Sequence, residues 1–256
     1  MKTARKLSKR NMALGNGGAI LFALALLALW QVIVPLVGIS ELVLPTPYQI
    51  GRRLVVDHRI LLHDSYYTLF EVLCGFGMAV GIGVPLALLI FYSKAIERVL
   101  YPLLIAFQTV PKVALAPLLV LWFGFGFMPK ILISFLTAFF PIVIATVVGL
   151  EQLEEEMVRL LKSMGASERQ TFWKLRLPTA LPSVFGGLKV GIGLAVIGSI
   201  IGEYVASEQG LGYRQLTANA QFDSTMNFAA LVMISILGVL TFYAIHFVER
   251  AFVRVR

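Results

Sequence analysis

Residues 151–181 read EQLEEEMVRLLKSMGASERQTFWKLRLPTAL, and they stand between two long apolar runs, 128–150 and 182–205. Leu150, Leu153, Met157, Leu160, Leu161 and Met164 recur at helical spacing, with Glu154, Glu155, Glu156, Arg159 and Lys162 between them. Gly165 is placed to stop that helix, because it takes the left-handed conformation at low cost. Ser167-Glu168-Arg169-Gln170 then forms a capping box, in which the serine caps a new helix and Gln170 reaches back. Phe172, Trp173, Leu175 and Leu177 follow, and Pro178 is expected to end the run. The stretch therefore predicts a short helix–turn–helix with an apolar side and a charged rim. Two uses stay open for it: an amphipathic hairpin lying on the lipid interface, or a docking element for a soluble partner.

Working outward, the 256-residue chain is 58 % hydrophobic and only 14 % charged, well below the roughly 25 % charged of a typical soluble domain. Such a composition excludes a disordered chain, a coiled coil and an ordinary soluble enzyme. Cys74 is the single cysteine, so no disulfide framework exists. A spanning helix needs ~20 mostly apolar residues, and candidate spans fall at 17–39, 68–92, 100–123, 128–150, 182–205 and 227–252. Period-two alternation is absent, so an all-α polytopic membrane protein of six transmembrane helices is expected rather than a barrel. The third and fourth spans are separated so briefly that they should form a tight hairpin. The first span is too long for a signal-peptide core and is followed by no A-x-A-like site, which favours an uncleaved anchor helix. The chain thus divides into a basic N-terminus (1–16), a transmembrane domain (17–252) that holds the loop 151–181, and a short tail (253–256).

The net charge of +8 does not imply nucleic acid, because the basic residues sit in short clusters between apolar runs. Six spans put the N-terminus with Lys2, Arg5, Lys6, Lys9 and Arg10, the turn 92–98, the loop 151–181 and the tail on one side. That side carries most of the Lys and Arg, so both termini are expected in the cytoplasm.

Gln108, Thr109 and Lys112 lie near the middle of the third span, beside Pro111. A lysine at the bilayer centre costs on the order of 2.5–3.5 kcal/mol on insertion scales, so it should face protein or water. The segment is either part of a translocation path, with carbonyls freed by the prolines lining it, or a structural kink whose lysine pairs with a buried acid or a carbonyl. Lys189, close to the start of the fifth span, is expected to snorkel to the surface. Gly187-x-x-x-Gly191 and Gly77-x-x-x-Gly81 read as close helix packing. Glu71 and Glu203 fall near the outer ends of their spans, where each could pair with a basic residue or face a partner. The 203–226 segment is expected to be ordered and periplasmic. His58, His63 and His246 are scattered, so no metal site is predicted. No nucleophile elbow, paired-carboxylate site or G-x-x-x-x-G-K-[ST] phosphate loop is present.

Gly165, followed ten positions later by Leu175 and then Leu177-Pro178, resembles half of the cytoplasmic "EAA" signature of permease subunits of bacterial ABC importers. Leu44-Pro45-Thr46-Pro47, Leu121-Trp122-Phe123-Gly124 and Gly210-Leu211-Gly212-Tyr213 are similar to the nitrate/taurine/alkanesulfonate branch of that family. The Glu-Ala-Ala triplet itself is missing, since its place is taken by Arg159-Leu160-Leu161. The resemblance implies a type I, MetI-like importer fold with a coupling helix, in the bacterial inner membrane. It implies a non-catalytic permease that pairs with a second copy, as a homodimer, to form the path. Two ABC ATPase subunits would bind ATP and Mg below it, and a periplasmic binding protein would deliver the solute. The coupling residues it implies are Arg159, Gly165, Ala166, Ser167, Glu168, Arg169, Leu175, Leu177 and Pro178, with no cofactor on this chain. Permeases of this branch handle nitrate, sulfonates, taurine, or vitamin precursors such as pyrimidines and riboflavin. Gln108-Thr109-Val110-Pro111-Lys112 departs from the Arg-Pro-x-Pro-Pro form of sulfonate and nitrate permeases and looks more like those of heterocycle uptake.

The rival class is an ATP-independent carrier or channel. The absence of detectable inverted repeats and the presence of only two clearly intramembrane cations argue against an ion-coupled carrier. A membrane-embedded enzyme would need a cluster of catalytic polar residues that the sequence lacks.

Overall fold

A computed structural model describes the backbone of residues 2–253, with side chains described at 18 and from 21 onward except Glu155. The side chains of the basic N-terminus 1–16, and most of the tail 253–256, therefore lie outside the described residues. The helices run in the order α1 (Lys2–Val37), α2 (Pro47–Val56), α3 (His58–Tyr92), α4 (Lys94–Thr109), α5 (Lys112–Phe123), α6 (Phe127–Glu151), α7 (Glu155–Ser163), α8 (Glu168–Thr171), α9 (Leu177–Ala206), α10 (Leu211–Ala220) and α11 (Ser224–Phe252). A π-helical turn, Phe172–Arg176, joins α8 to α9. No strand occurs among the described residues.

Four helical stretches are long and apolar enough to cross a membrane: α3, α6, the continuous helix Glu168–Ala206, and α11. α1 adds the shorter apolar stretch Leu21–Val37. The expected third span, 100–123, is not one straight helix. It is the pair α4 and α5, bent by 94° at the break between them. Pro111 has no N–H to give and biases the residue before it toward extended backbone; Val110 sits at φ −63°, ψ 127°. The second helix also begins at His58 rather than near 68. α5 and α6 are joined through Gly124 (φ +75°) and Gly126 (φ +139°), the tight hairpin expected from the short gap.

The chain forms two compact units. One comprises Met1–His58 with Thr217–Ala229. In it Trp30 of α1 packs on Phe228 with ring centroids 6.0 Å apart, and the Tyr48 N–H donates to Gln31 Oε1 at 2.9 Å. Thr46 and Gln49 form a capping box at the start of α2, and Arg53 bridges Asp57 (2.8 Å) and Asp223 (2.6 Å).

The other unit comprises Arg59–Leu216 with Ala230–Arg256, and its main packing is α6 against α9. Ile133, Ala138, Ile142 and Val143 of α6 and Ile192, Ala195 and Val196 of α9 are buried there. The seam closes tightly because α9 is lined with small residues. A Cβ at Gly191 would fall 2.8 Å from the Ile142 side chain, and one at Gly202 would fall 2.8 Å from Lys130 Cα. Gly187 packs on Ala145 in the same way, as its spacing implies, whereas Gly77 and Gly81 meet nothing within 4 Å in this chain.

Candidate functional site

The stretch 155–176 folds as two helical pieces around one glycine. Gly165 has φ +83°. Its N–H donates to the Lys162 carbonyl at 2.9 Å, and the Ala166 N–H donates to the Leu161 carbonyl at 3.1 Å. These two bonds make a Schellman motif that closes α7. One residue later the capping box forms: the Gln170 N–H donates to Ser167 Oγ (3.3 Å), and the Ser167 N–H donates to Gln170 Oε1 (2.9 Å). Glu168 pairs with Lys162 across the turn at 2.5 Å. The turn is therefore fixed by local bonds on both sides.

Pro178 does not end the second helix. α8 passes through the π turn, in which the Leu177 N–H bonds to the Phe172 carbonyl five residues back, and continues as α9. The wider turn makes room for the Pro178 ring, which in an α-helix would clash with the carbonyl four residues earlier. The capping turn is thus the first turn of a helix that runs without a break to Ala206. Arg176 lies over the Phe91 ring at 4.9 Å, and Phe172 contacts Tyr92 at 6.0 Å. These contacts bring the end of α3 and the turn after it to the same end of the unit as 155–176. Arg159, Lys162, Glu168 and Arg176 line a cavity of about 760 Å³ there.

Of the predicted residues in this element, Arg159, Gly165, Ser167, Glu168, Arg169 and Pro178 are exposed, while Ala166, Leu175 and Leu177 are half-buried. The apolar side is only partly used, since Val158 is buried while Met157, Leu160, Met164 and Trp173 stay exposed.

Gln108, Thr109 and Lys112 stand at the break between α4 and α5, and Gln108 and Thr109 are exposed. The Lys112 ammonium donates to the Gln108 carbonyl and lies over the Phe140 ring at 5.3 Å. It thereby satisfies one of the carbonyls left free at the end of α4. Lys189 does not reach out alone: it pairs with Glu249 at 2.5 Å, and Glu249 also meets His246 at 3.1 Å.

At the opposite end of α6 lies a buried charge network that sequence reasoning did not assemble. Glu71, Glu203, Thr68 and Ser199 are fully buried, and Lys130 is 4 % exposed. Lys130 pairs with Glu71 at 2.5 Å and donates to Ser207 Oγ at 3.0 Å. Glu71 also accepts from Ser199 at 2.8 Å. Glu203 accepts from Thr68 Oγ1 (2.6 Å) and from the Gly212 N–H (2.5 Å), and Thr68 accepts from the Leu211 N–H at 2.9 Å. Arg214 pairs with buried Asp64 at 2.7 Å. The network ties α3, α6 and α9 to the start of α10. The available signal was Lys130, which falls two residues inside an apolar run, together with the acids of two other runs. The pairing itself, 59 positions apart, carries no local mark.

The regular structure of the described residues is helical throughout, and several helices long and apolar enough to cross a membrane, with a helix–turn–helix set between two of them, are the arrangement of a multi-pass membrane protein. Residues 79–254 match the family described as binding-protein-dependent transport system inner membrane component, and the chain belongs to that family. It is 37 % identical over 230 residues to the formylaminopyrimidine transport permease protein ThiX of Halalkalibacterium halodurans, covering 90 % of this chain and 92 % of that one. It is 34 % identical over 231 residues to the riboflavin transport system permease protein RibX of Chloroflexus aurantiacus, covering 90 % and 86 %. Among solved structures, inward-facing MetNI methionine ABC transporter superposes with a TM-score of 0.66 at 21 % identity, over 76 % of this chain and 97 % of that one, a likeness of fold. The chain is a transport permease of the MetI-like fold.

Proposed function

We propose that this permease forms the translocation path of an ATP-driven importer for a small heterocyclic solute, working as a homodimer with two ATPase subunits beneath it. In this reading both termini and residues 155–176 face the cytoplasm, ATP and Mg reside on the ATPases, and a periplasmic binding protein delivers the solute to the opposite end. One observation carries the proposal. The Gly165 turn and the Ser167–Gln170 cap begin a helix that continues into the α9 span, and exposed Met157, Leu160, Met164 and Trp173 flank that turn. A partner gripping those side chains would move a membrane helix directly, whereas a loose loop would absorb the motion. Arg159, Glu168 and Arg169 would be the polar rim of the dock, with Leu175, Leu177 and Pro178 relaying its movement. Gln108, Thr109 and Lys112, at a helix break with exposed polar groups, are proposed as part of the path. The heterocyclic solute is supported by what ThiX and RibX are named for and by the segment 108–112.

The test is co-purification with the cognate ATPase in detergent, comparing wild type with Gly165→Asp, which strains the φ +83° turn and brings charge to the dock. Recovery of ATPase with wild type and its loss with the variant support the reading. Equal recovery removes the docking role of this turn.

A further inference from the structure

The end of α6 that carries the charge network opens into a cavity of about 390 Å³, within the size range of small-ligand pockets. Its wall is aromatic: Tyr67 and Phe127 lie nearly parallel, 11° apart with ring centroids at 6.0 Å. Phe127 keeps 42 % of its surface exposed, although Lys130 sits over its ring at 4.8 Å. Lys130 also lines the cavity, with Ser207, Glu208 and Gln209 around it.

The charged groups that line this cavity are Lys130 and Glu208. Lys130 is the cation of the lining, and its ammonium is already held by Glu71 at 2.5 Å and by Ser207 at 3.0 Å. Glu208 adds an exposed carboxylate at the rim. Ser207 in turn is spent, since it accepts from Lys130 and donates to the Gln209 carbonyl. A small oxyanion entering here would meet the Glu208 carboxylate and an ammonium already paired. A flat ring would meet Phe125, which is largely exposed, and the exposed part of Phe127, and its amino groups would meet the acceptors of Glu208 and Gln209.

We infer that this cavity is a solute-contact site that admits flat, uncharged or cationic, amino-bearing heteroaromatic compounds and turns away small oxyanions such as sulfonates and nitrate. The inference rests on the importer reading and narrows it, because it places a second selection step in the permease itself.

The test uses the full permease purified with its ATPase in lipid nanodiscs. Equilibrium binding of 4-amino-2-methylpyrimidine and of ethanesulfonate is measured by calorimetry for wild type, Phe127→Leu and Glu208→Lys. The expected result is binding of the pyrimidine and none of ethanesulfonate by wild type. Phe127→Leu should weaken pyrimidine binding about tenfold, the size of a lost aromatic stacking contact. Glu208→Lys should weaken it too and allow ethanesulfonate to bind. No pyrimidine binding by wild type, equal binding of ethanesulfonate, or binding unchanged in both variants would overturn the inference. Glu208 is exposed, so its variant reports even where Phe127→Leu lowers the melting temperature. ATPase retention in each preparation reports on the importer reading separately.

Discussion

Replacing Lys130 by Met should be among the most damaging single changes in the chain. The side chain is 4 % exposed and its ammonium is 2.5 Å from Glu71, which is fully buried. Met fills nearly the same space, so the loss is electrical rather than one of packing. Removing one partner of a buried ion pair leaves an uncompensated charge and costs about 3–5 kcal/mol. Ser199 still donates to Glu71, which limits the cost without supplying a counter-charge. For a chain of this length that is a fall in melting temperature of roughly 6–20 °C. Adding Glu71→Gln removes the stranded carboxylate, and the double variant should recover most of the loss, because replacing both members of a buried pair is often near neutral. Thermal unfolding of the detergent-purified chain, followed by circular dichroism, gives both numbers. A Lys130→Met protein as stable as wild type, or a double variant no better than the single one, would refute the view that this pair holds α3 and α6 together.

Gly165→Ala should cost about 1–2 kcal/mol, because a Cβ there meets nothing within 4 Å and only the left-handed backbone is penalised; faster hydrogen exchange at the Gly165 and Ala166 amides checks it. Gly202→Val should fail to fold, since even its Cβ would lie 2.8 Å from Lys130 Cα, with loss of monodisperse protein as the readout. Lys112→Met should impair transport while leaving assembly intact; normal uptake by that variant would remove Lys112 from the path.

Where the signal was local, the sequence was readable to the residue. Gly165 as a C-cap and Ser167 with Gln170 as a capping box are patterns that act within a few positions, and both form as read. The apolar runs likewise gave the long helices, because burial in lipid depends on average composition rather than on partners. Of two proline effects, one agrees with the sequence reading and one does not. Pro111 bends the third span between α4 and α5, the kink that is one of the two readings of the segment, and Lys112 meets the Gln108 carbonyl there. Pro178, expected to stop a helix, is absorbed by a π turn whose register lies in neighbouring residues. The charge network was out of reach because its partners come from α3, α6, α9 and α10. Lys189 reads as a lone snorkelling cation for the same reason, although Glu249 faces it.

The central claim is that this chain moves solute only when an ATPase drives it. Proteoliposomes carrying the permease alone, and the permease with its cognate ATPase, should be compared for uptake of radiolabelled 4-amino-2-methylpyrimidine, with the binding protein outside and ATP inside. Uptake that appears only with the ATPase and ATP together is the predicted result. Uptake by the permease alone, indifferent to ATP, would contradict the account and make the chain an ATP-independent carrier.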